Sequence, residues 1–401
     1  MSGAPHHTSA HGHMMNYAYL YCLAFLLLIA SASPASAQVE RIKLAEPNAA
    51  EAFFNVGNKH YKAGRYKEAV EAYRQVIGLN PQDADAHNNL GSAYSLLGQY
   101  TEAIASLRQA TRLQPNMSAA YFNLGCAYYK SGHKEEAIAF FKRVTQLTPD
   151  MADAYNNLAV VYGISGKYTE AIESLKQALR LQPNMAEAHN NLGVAYLKAG
   201  RYAEAVGPLQ QALRFRPDDA EVHNDLSRAY YKLGRYPEAA QSLQEALRLQ
   251  PDLAEAHYNL GNVYAGLGRH KEAVKSFKQA VGLKTNLADA HNNLGAMYLK
   301  LERYTEAIKS LKQAVRLRPN SAEAHYNLGV AYYELEQYTE AVQSLKLAVR
   351  LQPDFAEARR TLSNVQKEVE EDLASSKPKS RTARPRDDQR GRQASKRRSR
   401  G

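Results

Sequence analysis

The chain repeats itself every 34 residues. Proline recurs at Pro81, Pro115, Pro149, Pro183, Pro217 and Pro251, gives way to Thr285, and returns at Pro319 and Pro353. In the same register stand Ala103, Ala137, Ala171, Ala205, Ala239, Ala273, Ala307 and Ala341. A fixed period of this length marks a solenoid, whose units cannot bury their apolar faces alone and must stack. Within one copy, Ala84 to Met117, the apolar residues Leu90, Tyr94 and Leu97 share one helical face. Gly98 ends that helix, and Tyr100, Ala103, Ile104, Leu107, Ala110 and Leu113 form the stripe of a second. Pro115 stops the second, because it lacks an N–H and clashes with the preceding turn. Nine copies fill residues 50–355 without insertion or deletion, which predicts an all-α solenoid of nine helix-turn-helix repeats.

The unit built from Leu90-Gly91, Tyr94, Gly98, Tyr100, Ala103, Leu107, Ala110 and Pro115 resembles the tetratricopeptide repeat. The resemblance implies a right-handed superhelix whose first helices line a concave groove. The position often held by Trp in that family is here Phe53, His87, Tyr121, Tyr155, His189, His223, His257, His291 and His325, and the chain has no Trp. Neighbouring helices pack about 8–10 Å apart, too far for such a column to share one ion through bonds of about 2 Å. The histidines are read as half-buried packing residues, and neither a metal nor a cofactor is expected.

The resemblance places the sixth residue of each repeat in the groove: Asn55, Asn89, Asn123, Asn157, Asn191, Asp225, Asn259, Asn293 and Asn327. A planar amide carries a donor and an acceptor, so such a column can pair with the C=O and N–H of an extended guest chain. In this the array is similar to the superhelical arm of O-linked N-acetylglucosamine transferase, which holds substrate polypeptides with an asparagine ladder. A second reading has the same amides satisfying neighbouring helix groups. The preceding position divides into amides, Asn88, Asn156, Asn190, Asn224 and Asn292, and aromatics, Phe54, Phe122, Tyr258 and Tyr326. The amides are expected to hold main chain and the aromatics to seat apolar side chains. Lys62, Lys130, Lys198, Lys232 and Lys300 add a broken basic line further along the same helices. Near the helix starts, Glu51, Asp85, Asp153, Glu187, Glu221, Glu255, Asp289 and Glu323 form an acidic line, read first as support for the helix dipole. A clamp for chaperone tails would need cations where these acids and amides stand.

The sixth repeat departs from the others, reading Asn224-Asp225-Leu226-Ser227-Arg228, with Asp225 and Arg228 spaced to pair on one helix. Upstream, Gly207-Pro208 is expected to interrupt the second helix of the fifth repeat. The pair is either a special contact in mid-groove or drift in a tolerant array.

Three pieces flank the array. Residues 1–37 read as a secretory signal, with an apolar run from Leu20 to Ala30, cleavage after Ala37, and a true start at Met14 or Met15. An uncleaved short anchor is the other reading. Residues 38–49 form a linker, and residues 356–374 a capping helix with Ala358, Leu362, Val365 and Val369 on one apolar stripe. Residues 375–401 hold eleven Lys and Arg against Asp387 and Asp388, a net of +9 out of the chain's +11, and are expected to be disordered. After cleavage Cys126 would be the single cysteine, so no internal disulfide is available.

Nothing in the sequence supplies a Gly-rich phosphate loop after a strand, metal-ligand spacing, or a nucleophile with a base. The expected function is an exported, non-enzymatic scaffold in the periplasm or outside a bacterial cell, binding an extended polypeptide or partner protein and no small-molecule substrate. One alternative is a polyanion binder acting through residues 375–401 on nucleic acid, acidic lipid or cell-wall polymer. Another is a targeting subunit for a separately encoded enzyme.

Overall fold

A glycine on the first helix of most repeats sets how closely its two helices approach. A Cβ added at Gly193 would stand 2.4 Å from Leu209 Cγ, and one at Gly91 2.5 Å from Leu107 Cγ. The same approach recurs at Gly57 against Tyr73, Gly125 against Phe141 and Gly261 against Phe277. Around these contacts the second-helix residues Ala103, Leu107 and Ala110 are fully buried, with Leu90 and Tyr94 of the first helix beside them.

The computed structural model describes residues 48–376. The expected signal at 1–37, most of the linker and the tail from 377 onward lie outside them. Among the described residues there are nineteen helices and no strand. They run as nine pairs, from Ala49–Lys62 with Tyr66–Leu79 to Ala322–Tyr333 with Tyr338–Leu351, followed by a last helix, Ala356–Ser376. They group into two compact units, one ending at Thr285 and one beginning at Asn286. The division falls where the recurrent proline is replaced by Thr285. Within each unit the second helix of a repeat also packs on the first helix of the next. Several first helices touch the following first helix directly, whereas consecutive second helices make no comparable contact. The first helices therefore form the more closely packed layer.

Between repeats the chain is stapled by histidine. His87, His189, His223, His257 and His325 each direct Nε2 at the carbonyl oxygen of the proline six residues earlier, at 2.9–3.1 Å. A carbonyl only accepts, so Nε2 carries the proton in each. Within repeats, Arg201, Arg235, Arg269 and Arg303 lie 4.5–4.8 Å from the ring centres of Tyr196, Tyr230, Tyr264 and Tyr298. Each also pairs with the glutamate three residues on, Glu204, Glu238, Glu272 or Glu306. These pairs are open to solvent, which screens them, so they order the turn more than they stabilise the fold.

The helix Tyr202–Phe215 runs on through Pro208, contrary to the interruption its sequence suggests. Proline removes one N–H bond there, but the flanking turns and the buried Ala205, Leu209 and Ala212 hold the helix together. On the last helix Ala358 and Val365 are fully buried, and Tyr333 Oη donates to Glu368 Oε1 at 2.7 Å.

The turn inside each of the first seven repeats uses a glycine at positive φ, from Gly64 to Gly268. In the last two the same place is held by Glu302 (φ 57°) and Glu336 (φ 59°). A side chain in this left-handed region costs about 1 kcal/mol or more. Glu302→Gly and Glu336→Gly are therefore expected to stabilise the chain by about 1 kcal/mol each, read as a raised midpoint of thermal unfolding.

Candidate polypeptide-binding face

The nominated residues all sit on first helices, at the fifth and sixth positions of the repeats, with Arg228 at the ninth. At the fifth position Asn88, Asn156, Asn190, Asn224 and Asn292 are buried. At the sixth, Asn55 is exposed, while Asn89, Asn123, Asp225, Asn259, Asn293 and Asn327 are half-buried and Asn157 and Asn191 are buried. The two columns are joined. In the unit ending at Thr285, Asn123 Nδ2 donates to Asn88 Oδ1 (2.9 Å), Asn191 Nδ2 to Asn156 Oδ1 (2.9 Å) and Asn259 Nδ2 to Asn224 Oδ1 (2.8 Å). In the unit from Asn286, Asn327 Nδ2 donates to Asn292 Oδ1 (3.0 Å). Each bond is a rung between one repeat and the next. The amides read from the sequence as ligand contacts are thus partly engaged within the protein. A rung uses one donor of the sixth-position amide, which has a second N–H and an oxygen with two lone pairs.

Where the fifth position is aromatic, the packing changes. The rings of Phe54, Phe122 and Tyr258 lie 5.9, 5.7 and 5.9 Å from those of Tyr73, Phe141 and Phe277 on the second helix of the same repeat. Tyr326 lies 5.0 Å from Phe355. Where the fifth position is asparagine, the facing second helix carries leucine instead, at Leu107, Leu175, Leu209, Leu243 and Leu311. These half-buried rings are braced from below. Asn89, which follows the aromatic Phe54, turns to Asn58 Oδ1 (3.2 Å).

The acidic line does more than face helix dipoles. Asn156 Nδ2 donates to Glu187 Oε1 (3.1 Å) and Asn292 Nδ2 to Glu323 Oε1 (3.0 Å), while Asp289 takes both ends of the Arg318 guanidinium (2.6 and 3.0 Å). Glu187 is 2% exposed, and its Oε2 is buried without a partner. Burial pushes its pKa up to about 7, against the bond from Asn156 and the charge of Arg216, with Asp153 adding to the rise.

The sixth repeat breaks the rung pattern. Asp225 stands where a donor is needed, and Asn190 Oδ1 is left buried without a partner. Asp225 Oδ1 instead accepts from Arg228 NH1 at 2.7 Å. Arg228 lines a cavity of about 280 Å3 on the first-helix layer, with Lys232, Tyr231, Tyr258, Asn259 and Asn262. Elsewhere, Cys126 is a half-buried free thiol. No cluster of three or more His, Cys, Asp or Glu suited to a metal ion occurs among the described residues. Sequence reasoning missed the rungs, although their signal, an amide followed 35 residues later by another, is present at Asn88/Asn123, Asn156/Asn191, Asn224/Asn259 and Asn292/Asn327.

Residues 22–258 match the family model of the Cilia and flagella-associated protein 70 C-terminal domain. Residues 296–336 match a TPR repeat model, and 254–285 and 322–355 the Tetratricopeptide repeat model. No curated protein matches the chain. Similar solved structures include the MamA protein, 29% identical over 43% of this chain and 94% of that one, with a TM-score of 0.39. Pilf of Pseudomonas aeruginosa is 24% identical over 53% of this chain and 97% of its own (TM-score 0.48). The APC/C hetero-tetramer Cut9–Hcn1 is 18% identical over 83% of this chain and 67% of that one (TM-score 0.49).

Two expectations follow from the rungs and the buried acid. Asn191→Ala leaves the Asn156 oxygen buried without its donor and should cost about 1–3 kcal/mol, whereas Asn55→Ala should be nearly silent, both read by thermal unfolding. For Glu187 the folded pKa of about 7 lies above the usual 4.5, so its contribution is fully present below about pH 4.5. It is lost as the pH rises through 7, by an amount on the order of 3 kcal/mol. Glu187→Gln keeps an acceptor for Asn156 and should lack this component, gaining on the native chain at pH 8 while roughly matching it at pH 4.5.

Proposed function

Since this chain belongs to the family of the Cilia and flagella-associated protein 70 C-terminal domain, a tetratricopeptide repeat family, we propose that it is a non-enzymatic scaffold that holds an extended polypeptide or partner protein on its first-helix face. The supporting observation is the sixth-position column. Asn55 is exposed, and Asn89, Asn123 and Asn259 are half-buried with hydrogen-bonding capacity beyond their bonds within the protein. The rungs add to this reading: a side chain held by one bond loses less freedom when it binds a guest through the others. Aromatic residues are interspersed among the amides and offer braced, half-buried rings to apolar side chains of the guest.

Export belongs to the same proposal, on the apolar run from Leu20 to Ala30 and the small residues ending at Ala37. Intact mass of the protein from its native cell should give a chain beginning at Gln38; a full-length cytosolic species would remove export from the proposal.

The binding surface is tested with a peptide selected on the full chain from a random display library. Replacing Asn55, Asn89, Asn123 and Asn259 together by Ala should weaken its binding several-fold to several-hundred-fold, at about 0.5–1.5 kcal/mol per lost hydrogen bond, compared well below the melting midpoint, which falls because the rungs from Asn123 and Asn259 are lost. Asn191→Ala, which breaks a buried rung, should lower stability and leave affinity nearly unchanged. Deleting residues 375–401 should have little effect at moderate salt, because polyanion binding, not amide pairing, falls steeply with ionic strength. Silent asparagine variants together with a tail deletion that abolishes binding would favour the polyanion reading instead.

A further inference from the structure

The cavity over the fifth to seventh repeats differs from the rest of the first-helix layer in charge. Arg228 is the only cation at the ninth position of any repeat. Its side chain is 36% exposed, while that of its partner Asp225 is 13% exposed, so the acid lies beneath and the guanidinium lies at the surface of the cavity. Lys232, one turn further along the same helix, lines the cavity too. The lining thus holds two cations and no acid, and the acid beside it, Asp225, accepts from Arg228 NH1. A guanidinium has five N–H groups in a planar fork, so the bond to Asp225 fixes its plane and leaves donors to spare. Holding it there costs the array a rung, since Asp225 has no N–H for the buried Asn190 oxygen.

We infer that this cavity is a subsite for one acidic side chain, aspartate or glutamate, of the bound polypeptide; the inference rests on the polypeptide-binding reading above. The carboxylate meets the guanidinium of Arg228 in a charge-assisted pair, with Lys232 as a second positive charge. Tyr231 and Tyr258 border the cavity and cover the aliphatic part of the guest side chain. At about 280 Å3 the space falls just below the roughly 300–1,000 Å3 of sites that enclose a whole small ligand, and suits a single side chain. The neighbouring Asn259 is held by its rung to Asn224 and presents the rest of its amide to the guest main chain beside the acid.

The test selects random twelve-residue peptides by display on the full-length chain and, in parallel, on a double variant, Asp225→Asn with Arg228→Val. That variant gives the sixth repeat the pair that the fifth carries, Asn191 and Val194, and restores a donor for Asn190, so it is expected to fold. Circular dichroism and the melting midpoint verify this, with Arg228→Gln as a second variant. The native chain should enrich Asp or Glu at one fixed position of its peptides, and the variants should not. In a selected peptide made synthetically, Glu→Gln at that position should weaken binding to the native chain by about tenfold to a hundredfold, and hardly at all to the variants. Amidating the peptide's C terminus should change little; a large loss there would assign the cavity to a terminal carboxylate and overturn the side-chain subsite. Peptides enriched without an acidic position, or with one that survives in both variants, would overturn the subsite and leave the polypeptide-binding reading standing. No enrichment of any peptide by the native chain would overturn both.

Discussion

The two helices of a repeat approach over one small residue, a glycine in seven repeats and Ala159 and Ser227 in the fourth and sixth. Where Gly91, Gly193 or Gly295 stands, the facing leucine comes to within 2.4–2.5 Å of the place a Cβ would occupy. The small residues of the second helix, such as Ala103 and Ala110, are fully buried beside it. The pair still exposes an apolar side, which only the next repeat covers, so every other contact depends on stacking at a constant spacing. Side chains that bridge 35 residues can then meet in the same way at each boundary, as Asn123 meets Asn88 and Asn191 meets Asn156.

The first-helix layer does two jobs with one set of residue types. At the fifth position Asn88, Asn156, Asn224 and Asn292 bond to the next repeat, and Phe54, Phe122 and Tyr258 pack down onto their own second helix. In eight of the nine repeats the choice goes with a residue nineteen places on: Asn88, Asn156, Asn190, Asn224 and Asn292 stand with leucine, and Phe54, Phe122 and Tyr258 with an aromatic, while Tyr326 stands with Leu345 and meets Phe355 instead. A ring needs a second ring to fill the space beneath it, whereas an amide leaves that space to leucine and forms its bond along the array. Each repeat thus divides its fifth position between cohesion along the array and bracing within the pair.

Much of this was open to reading in the sequence. The period, Gly98 at the turn, Pro115 at the end of the second helix and the stripe at Leu107 and Ala110 follow from local chemistry, and they lead to the all-α solenoid. The state of an individual amide does not. Asn191 and Asn55 occupy the same register, yet one is buried and bonded to Asn156 of the preceding repeat, and the other is exposed. Glu187 likewise looks like Glu221 and Glu323 in sequence, but it alone of the three is fully buried. Pro208 misleads in the other direction: a local rule breaks the helix, and packing on both sides of it keeps the helix whole.

Cohesion and charge compete at the sixth position. To complete a rung the residue must donate, and to anchor a cation it must carry negative charge; no single side chain does both in the same place. Asn191 and Asn259 complete their rungs and remain neutral. Asp225, between them, gives up the donor, leaves the Asn190 oxygen unpaired, and fixes a guanidinium at the surface. An unmade bond to a buried oxygen is destabilising by about 1–3 kcal/mol, while a charge pair open to solvent on one side returns less than that. The exchange therefore does not stabilise the fold by itself; what it leaves is a guanidinium held at the surface of the first-helix layer.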